Sequence, residues 1–399
     1  MNNSLIFIIC FFACFFKTNL LAQRAEVIPY INFIKENQTH PVDYVFQLFE
    51  KYDIVILGER DHRDLHQYEL VEKIISDRRF IENVGNIFTE IGSYNKTEWA
   101  NQVLKGEYGS YDDFENNLRP LYREFESWNL IWEKYNCWYF LSSLYRINNK
   151  LEPSQKINLF FTDVPFDWNE CHTREDWLTF EQNLGVRFWR DSIMGHNMIT
   201  EYNKILNDGN SIRKKALVIL NVWHANQSPT TENITNRSAA SHIFNEYPGK
   251  VANVMINYMA NQNGRNCFVV DGKWDAAFLA LDDPSVGFDF KDSPLGMDKF
   301  DLFKRLSENI KYQDIFTGFI FYGGITSWNI VIGVPGIIDD DFADELMRRY
   351  QILFPNRKTT IEIQKRYYNV VRTYKAWDFS DKMSKRRIIK NYKYWIGKK

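Results

Sequence analysis

The sequence predicts an α/β fold with three layers, a mostly parallel central sheet, and long helical insertions forming a cap. Three observations predict it. Short continuous apolar runs recur at 54–57, 86–88, 157–161, 216–220, 251–258 and 318–322, as in strands covered on both faces. Helix-like stretches separate them, as parallel strands require. Four of the runs end in ionisable residues, and open α/β sheets bind ligands beyond the carboxyl ends of their strands.

The chain has 399 residues, 45% hydrophobic, 25% charged and 16% aromatic. That is enough apolar mass for a sizeable core and excludes a disordered or fibrous chain. A mean hydropathy of −0.42, with no second long apolar run, excludes a polytopic membrane protein. A net charge of −2 argues against a general nucleic-acid binder.

Residues 5–16 (LIFIICFFACFF) are twelve apolar residues in a row. This run is too short to span a bilayer, for which about twenty are needed. It fits the core of a secretory signal over residues 1–22, with cleavage expected after Ala22. The sequence therefore predicts an exported protein, periplasmic or secreted. A lipoprotein signal through Cys14 is the weaker alternative, given the FF that follows it and the later NLLAQ. Removal of residues 1–22 leaves Cys137, Cys171 and Cys267. Their odd number allows at most one internal disulfide, and none has CxxC spacing.

Residues 23–364 form the expected α/β domain. Residues 64–80 fit a helix, with Leu65, Tyr68, Val71, Ile74 and Ile75 on one face. The helical stretches at 97–150 and 174–208, rich in Trp, Tyr and Leu, are the expected cap. Residues 365–399 form a basic helical extension with twelve Lys/Arg against two Asp/Glu. It would lie on the acidic body or make peripheral contact with a membrane.

The strand ends carry the chemistry. The first run leads into Gly58-Glu59-Arg60-Asp61-His62, the second into Thr89-Glu90, the third into Thr162-Asp163 and the fourth into Asn221-Val222-Trp223-His224. The spacing of Glu59 and His62 lets them meet on one turn. A carboxylate on one ring nitrogen fixes the tautomer and frees the other nitrogen to take a proton. Glu90 and His224 reach the same sheet edge. His66 lies one turn beyond His62 and shares its face. Without an HExxH motif, no metal site is assigned. Arg190, Met194 and Asn197 share a helix face. No GxSxG elbow, Walker A or GxGxxG is present.

In order along the chain, these segments resemble the erythromycin esterase-like family. VILGERDHRDLHQYELVEKII resembles its strand ending in Gly-Glu-x-x-His, matching Gly58, Glu59 and His62. Glu90 falls on its strand-end Glu. Arg190, Asp191, Met194 and Asn197 match an Arg-Asp-x-x-Met-x-x-Asn helix. KALVILNVWHA resembles a strand ending in His-Asn-x-His, with Asn221 in place of the first His. Arg63 replaces a small Gly, and Val71 stands where a basic residue is expected. The related ChaN-like haem-binding and TraB/Tiki-like proteins supply the alternatives.

The resemblance implies ester or lactone hydrolysis without a Ser nucleophile. His62 would be the general base, oriented by Glu59, while Glu90 and His224 position water or stabilise the oxyanion. Arg190, Asn197, Asp163 and His66 would bind a small-molecule substrate. No cofactor is expected. Haem, or a divalent metal held through Glu59, His62, His66 and Glu90, belongs to the alternatives.

Overall fold

The computed structural model describes residues 24–126, 129–183, 186–227, 237–262, 265–303, 309–376 and 385–396. The apolar N-terminal run, Cys14 and the expected cleavage after Ala22 lie outside them. No described helix is long and apolar enough to cross a membrane.

The eleven described strands are β1 (Ile54–Glu59), β2 (Asn86–Ser93), β3 (Asn158–Asp163), β4 (Ala216–Asn221), β5 (Val251–Ile256), β6 (Met259–Gln262), β7 (Arg265–Phe268), β8 (Val286–Asp289), β9 (Gly318–Phe321), β10 (Asn329–Ile332) and β11 (Arg372–Lys375). Seven of them form one sheet in the order β3-β2-β4-β1-β5-β9-β8. Its strands run parallel except β8, which pairs antiparallel with β9 at the edge. Two antiparallel pairs, β6–β7 and β10–β11, stand apart from it.

The apolar runs form strands because both of their faces are covered. Val55 and Leu57 of β1 point to one face, with Ile87 and Ile219. That face is packed by the helices Pro41–Lys51, Leu65–Ser76, Thr97–Lys105 and Tyr135–Asn148. Ile54 and Ile56 alternate to the other face, where Met194, Met198 and Tyr202 of the helix Val186–Asn207 meet Phe88, Val218 and Leu220. The period of two in β1 thus divides one apolar run between two layers. The three-layer α/β architecture expected from the sequence is the one observed.

The predicted helix over 64–80 is two helices. Asp64 caps Leu65–Ser76 through the His66 N–H. Asp77 ends that helix and caps Arg78–Asn83 by accepting the Arg79 N–H at 2.8 Å. Short polar side chains compete for backbone donors in this way. The long insertions follow β2 and β3 and supply helices to both faces. The segment before the helix Tyr135–Asn148 and the first turns of Val186–Asn207 reach the carboxyl edge of the sheet.

Arg60, directly after β1, is fully buried. Its Nε donates to Asp64 Oδ2 at 2.6 Å, and Nη1 donates to Asn257 Oδ1 at 2.9 Å. The guanidinium also lies over the Trp328 ring. It pins the ends of β1 and β5 together directly beneath the site. Truncation would leave the Asp64 carboxylate buried without its partner. Arg60→Ala is predicted to cost about 3–5 kcal/mol of stability, measured as a lowered urea midpoint; an unchanged midpoint would contradict this role.

Candidate active site

The sheet register assembles the site. Glu59 of β1 pairs with Asn221 of β4, and Thr89 of β2 pairs with Ile219 of β4. Glu59 and Asn221 end β1 and β4, and Glu90 lies at nearly the same level on the adjacent β2, which continues past it to Ser93. His224 follows on the short helix Val222–Ala225, which Asn221 caps through the Trp223 N–H.

Glu59 is buried. Its Oε1 lies 3.1 Å from His62 Nδ1 and accepts from the Tyr68 hydroxyl at 3.0 Å. Two donors thus fix the carboxylate, and the carboxylate fixes the ring. His62 Nε2 then faces Glu90 Oε1 at 3.7 Å. That exceeds hydrogen-bond length, so this nitrogen remains available to a water or hydroxyl donor. Trp132 packs edge-on to the ring at 5.4 Å. Burial lowers the His62 pKa, but Glu59 and Glu90 outweigh it and hold it above the ordinary imidazole value.

Glu90 is 4% exposed. Its Oε1 accepts from Arg190 Nη2 at 3.1 Å and lies 3.5 Å from His224 Nε2. Its Oε2 accepts the Asn221 backbone N–H at 2.8 Å. Burial raises its pKa, yet His224, His62, Arg190 and the Asn221 N–H together hold it well below the usual carboxylate range. Arg190 is itself clamped: Nε and Nη2 donate to the two oxygens of Asp163 at 2.9 and 2.8 Å. Such a fork-to-fork pair sets the guanidinium plane.

His224 Nδ1 lies 2.8 Å from Asp191 Oδ1, and its Nε2 lies 3.2 Å from Arg190 Nη1. Burial lowers the His224 pKa, while Glu90 and Asp191 raise it to a net increase. The contact with Arg190 suits the neutral ring, with the proton on Nδ1 towards Asp191. A proton on Nε2 turns that nitrogen towards Glu90 instead. His224 can therefore hold a proton in either of two directions.

These groups floor a cleft of about 440 Å³. His62 and His224 follow the ends of β1 and β4, and Glu90 comes from within β2. Arg190 and Asp191 come from the helix after β3. Glu126, Asn129, Trp132 and Lys134 come from the insertion after β2. Lys134 Nζ sits 3.5 Å from the centre of the Trp132 ring. Its charge opposes protonation of His62.

Of the eight residues expected at the site, five meet here: His62, Glu59, Glu90, His224 and Arg190. Asp163 acts one contact away, as the clamp of Arg190. His66 and Asn197 lie elsewhere. The His66 ring bonds Glu69 and stacks on Tyr322 at 4.6 Å. Asn197 is buried and donates to the Thr162 carbonyl, tying its helix to β3. The place of the expected first His is explained as well, since the Asn221 side chain donates to the Arg60 carbonyl and ties β4 to β1. Val71 is core, and Lys73 donates to the Tyr322 hydroxyl.

The sequence matched Asp191 to a helix motif but gave it no role in the site, and Lys134, Trp132 and Glu126 were missed. Asp191 adjoins Arg190 in the sequence, so that signal was present. The other three come from an irregular segment with no periodicity to read. Cys137 is buried behind Glu59, and burial pushes its thiol well up, which makes it a poor nucleophile.

The fold and the cleft define an α/β protein with an ionised Glu–His–Arg cluster at the carboxyl edge of its sheet. No family model matches this chain, and no curated protein matches it. Similar solved structures include a Bacillus cereus protein, with 13% identity over 74% of this chain and 97% of that one, at a TM-score of 0.42. An erythromycin esterase mutant in its open conformation has 10% identity over 75% of this chain and 96% of its own, at 0.45. The haem-binding ChaN of Campylobacter jejuni has 13% identity over 54% and 85%, at 0.30. These likenesses assign no residue a role.

The charge pattern gives stability two pH limbs. A histidine whose folded pKa is raised adds stability in full below its unfolded value, near 6.5, and loses it as pH rises through the folded value. A depressed carboxylate such as Glu90 adds stability in full above its unfolded value, near 4.5, and loses it as pH falls towards the folded value. Glu90→Gln is predicted to shrink both limbs, because it removes the Glu90 share of the acid one and one of the anions that raise the two histidines. Urea midpoints measured from about pH 2 to 9 check this; a profile identical to the parent would refute it.

Proposed function

We propose that the protein is an exported hydrolase of a small ester or lactone, with His62 as the general base that activates water. One observation carries this reading: His62 is oriented from behind by Glu59, and its second nitrogen faces the cleft floor, 3.7 Å from Glu90. In the reaction, Nε2 takes a proton from water as the water oxygen attacks the carbonyl carbon. The protonated ring lies between two carboxylates, which stabilise it. The same proton then returns to the leaving alkoxide.

The oxyanion needs donors that carry positive charge. An ionised Glu90 would repel it, so Glu90 serves as the orienting and balancing anion. Arg190 and Lys134 are the cations lining the cleft, and they take the stabilising role. His224, held by Asp191, positions the substrate or the water. Export is supported by the apolar run at residues 5–16.

The donor set favours water activation over a metal or a haem. Glu90 Oε1 is already shared with the Arg190 guanidinium, whose charge would oppose a divalent cation. The cleft is lined mainly by polar and charged side chains, among them Glu90, Glu126, Lys134, Arg190 and Asp191, which does not suit the apolar faces of a haem.

A panel of esters and lactones assayed by pH-stat tests the reading. Once a substrate is found, His62→Ala is predicted to lower kcat by about 10²–10⁴-fold, and Lys134→Ala by about 10²-fold. The base works deprotonated, so kcat/KM should rise with pH through the raised His62 value. Glu90→Gln should move that limb to lower pH. Full hydrolysis by a folded His62→Ala variant would exclude the mechanism.

A further inference from the structure

The helix Ile361–Asn369 has an apolar stripe on its solvent side as well as a buried face. Gln364 and Tyr368 point inward. Ile363 and Tyr367 are one helical turn apart and share one face, and Val370 follows the helix end in extended backbone. They are 58%, 40% and 48% exposed. Val371, 41% exposed, continues the patch. Arg366 lies in the same stripe and is exposed, and Arg372 follows directly. Exposed apolar side chains arranged in a row, with cations among them, mark an interaction surface.

The stripe is fixed in place next to the cleft. β11 begins at Arg372 and pairs with β10. The same β10 bridges Lys134 through Ile332 and Asp64 through Ile330. The Gly333 N–H donates to the Glu133 carbonyl at 2.7 Å, and the Val334 N–H donates to the Tyr368 carbonyl at 2.6 Å. Gly333 has φ +93°, and a Cβ there would lie 2.1 Å from the Val370 carbonyl oxygen. Arg372, which follows the patch, thus sits two strand spacings from Lys134, about 10 Å, so the patch ends beside the wall of the cleft.

We propose that this stripe docks the protein on an anionic lipid bilayer and holds the cleft at the membrane surface. The charge distribution selects this occupant. Residues 365–399 carry a net +10 within a chain of net −2, so this end alone is drawn to an anionic interface. Ile, Val and Tyr side chains among Arg residues are the chemistry that enters the boundary between headgroups and acyl chains. The inference stands apart from what the cleft hydrolyses.

Co-sedimentation with sucrose-loaded vesicles tests it, using phosphatidylcholine alone and phosphatidylcholine mixed with phosphatidylglycerol. The full chain is compared with Ile363→Asp/Val370→Asp and with Arg366→Glu. The ratio of each variant to the parent isolates the stripe from every other part of the chain. The parent should pellet with the anionic vesicles, less so with the neutral ones, and less so as salt rises. The double variant should partition at least about tenfold more weakly, and Arg366→Glu should also weaken binding, with thermal unfolding unchanged in both. No binding to anionic vesicles would overturn the proposal. So would equal binding by parent and variants, or loss of self-association in the variants in place of loss of vesicle binding.

Discussion

The Glu90 carboxylate is buried and ionised, and the site depends on how that charge is balanced. A lone buried carboxylate is too costly to persist and takes up a proton instead. Here Arg190 and the two imidazoles share one oxygen, and the Asn221 N–H holds the other. Each partner comes from a different part of the chain, so the carboxylate draws β1, β4 and the helix after β3 to one point. Asp163 and Asp191 then set the guanidinium and the His224 ring. Such networks are poor bargains for stability alone, since apolar packing does as well. Their value lies in fixing the protonation and direction of His62.

Much of this was legible in the sequence. The six apolar runs became strands of the sheet because β-branched and aromatic residues in short unbroken runs have few other ways to bury both faces. Glu59, Glu90 and His224 were found because strand ends are where such folds gather chemistry. The limits are also physical. The fourfold spacing of His62 and His66 puts both on one turn, but the Asp64 cap starts the helix at Leu65 and sends His66 to Tyr322. Asn197 shares a face with Arg190, yet two helical turns carry it away from the cleft to the Thr162 carbonyl. Lys134 and Trp132 come from irregular backbone held by β10, and no periodicity announces such a segment.

The departures from the expected motif have structural accounts. Asn221 replaces an imidazole and is spent on joining β4 to β1 while capping the helix that carries His224. The missing cation at Val71 leaves an apolar core position, and Lys134 brings a cation to the cleft from another direction. Arg60 fills the space under β1 and ties it to Asn257 and the end of β9. The cleft is therefore a rigid floor of strand ends with an added wall. The same β10 that holds this wall also carries the exposed stripe of the C-terminal segment.

The most direct measurement is an NMR titration of the imidazoles of His62 and His224, in the parent and in Glu90→Gln. With Glu90 as the shared counter-charge, both rings titrate above the ordinary value of 6.5 in the parent, and both fall in the variant. Rings that titrate at or below the ordinary value, or that do not move when Glu90 loses its charge, would contradict the account.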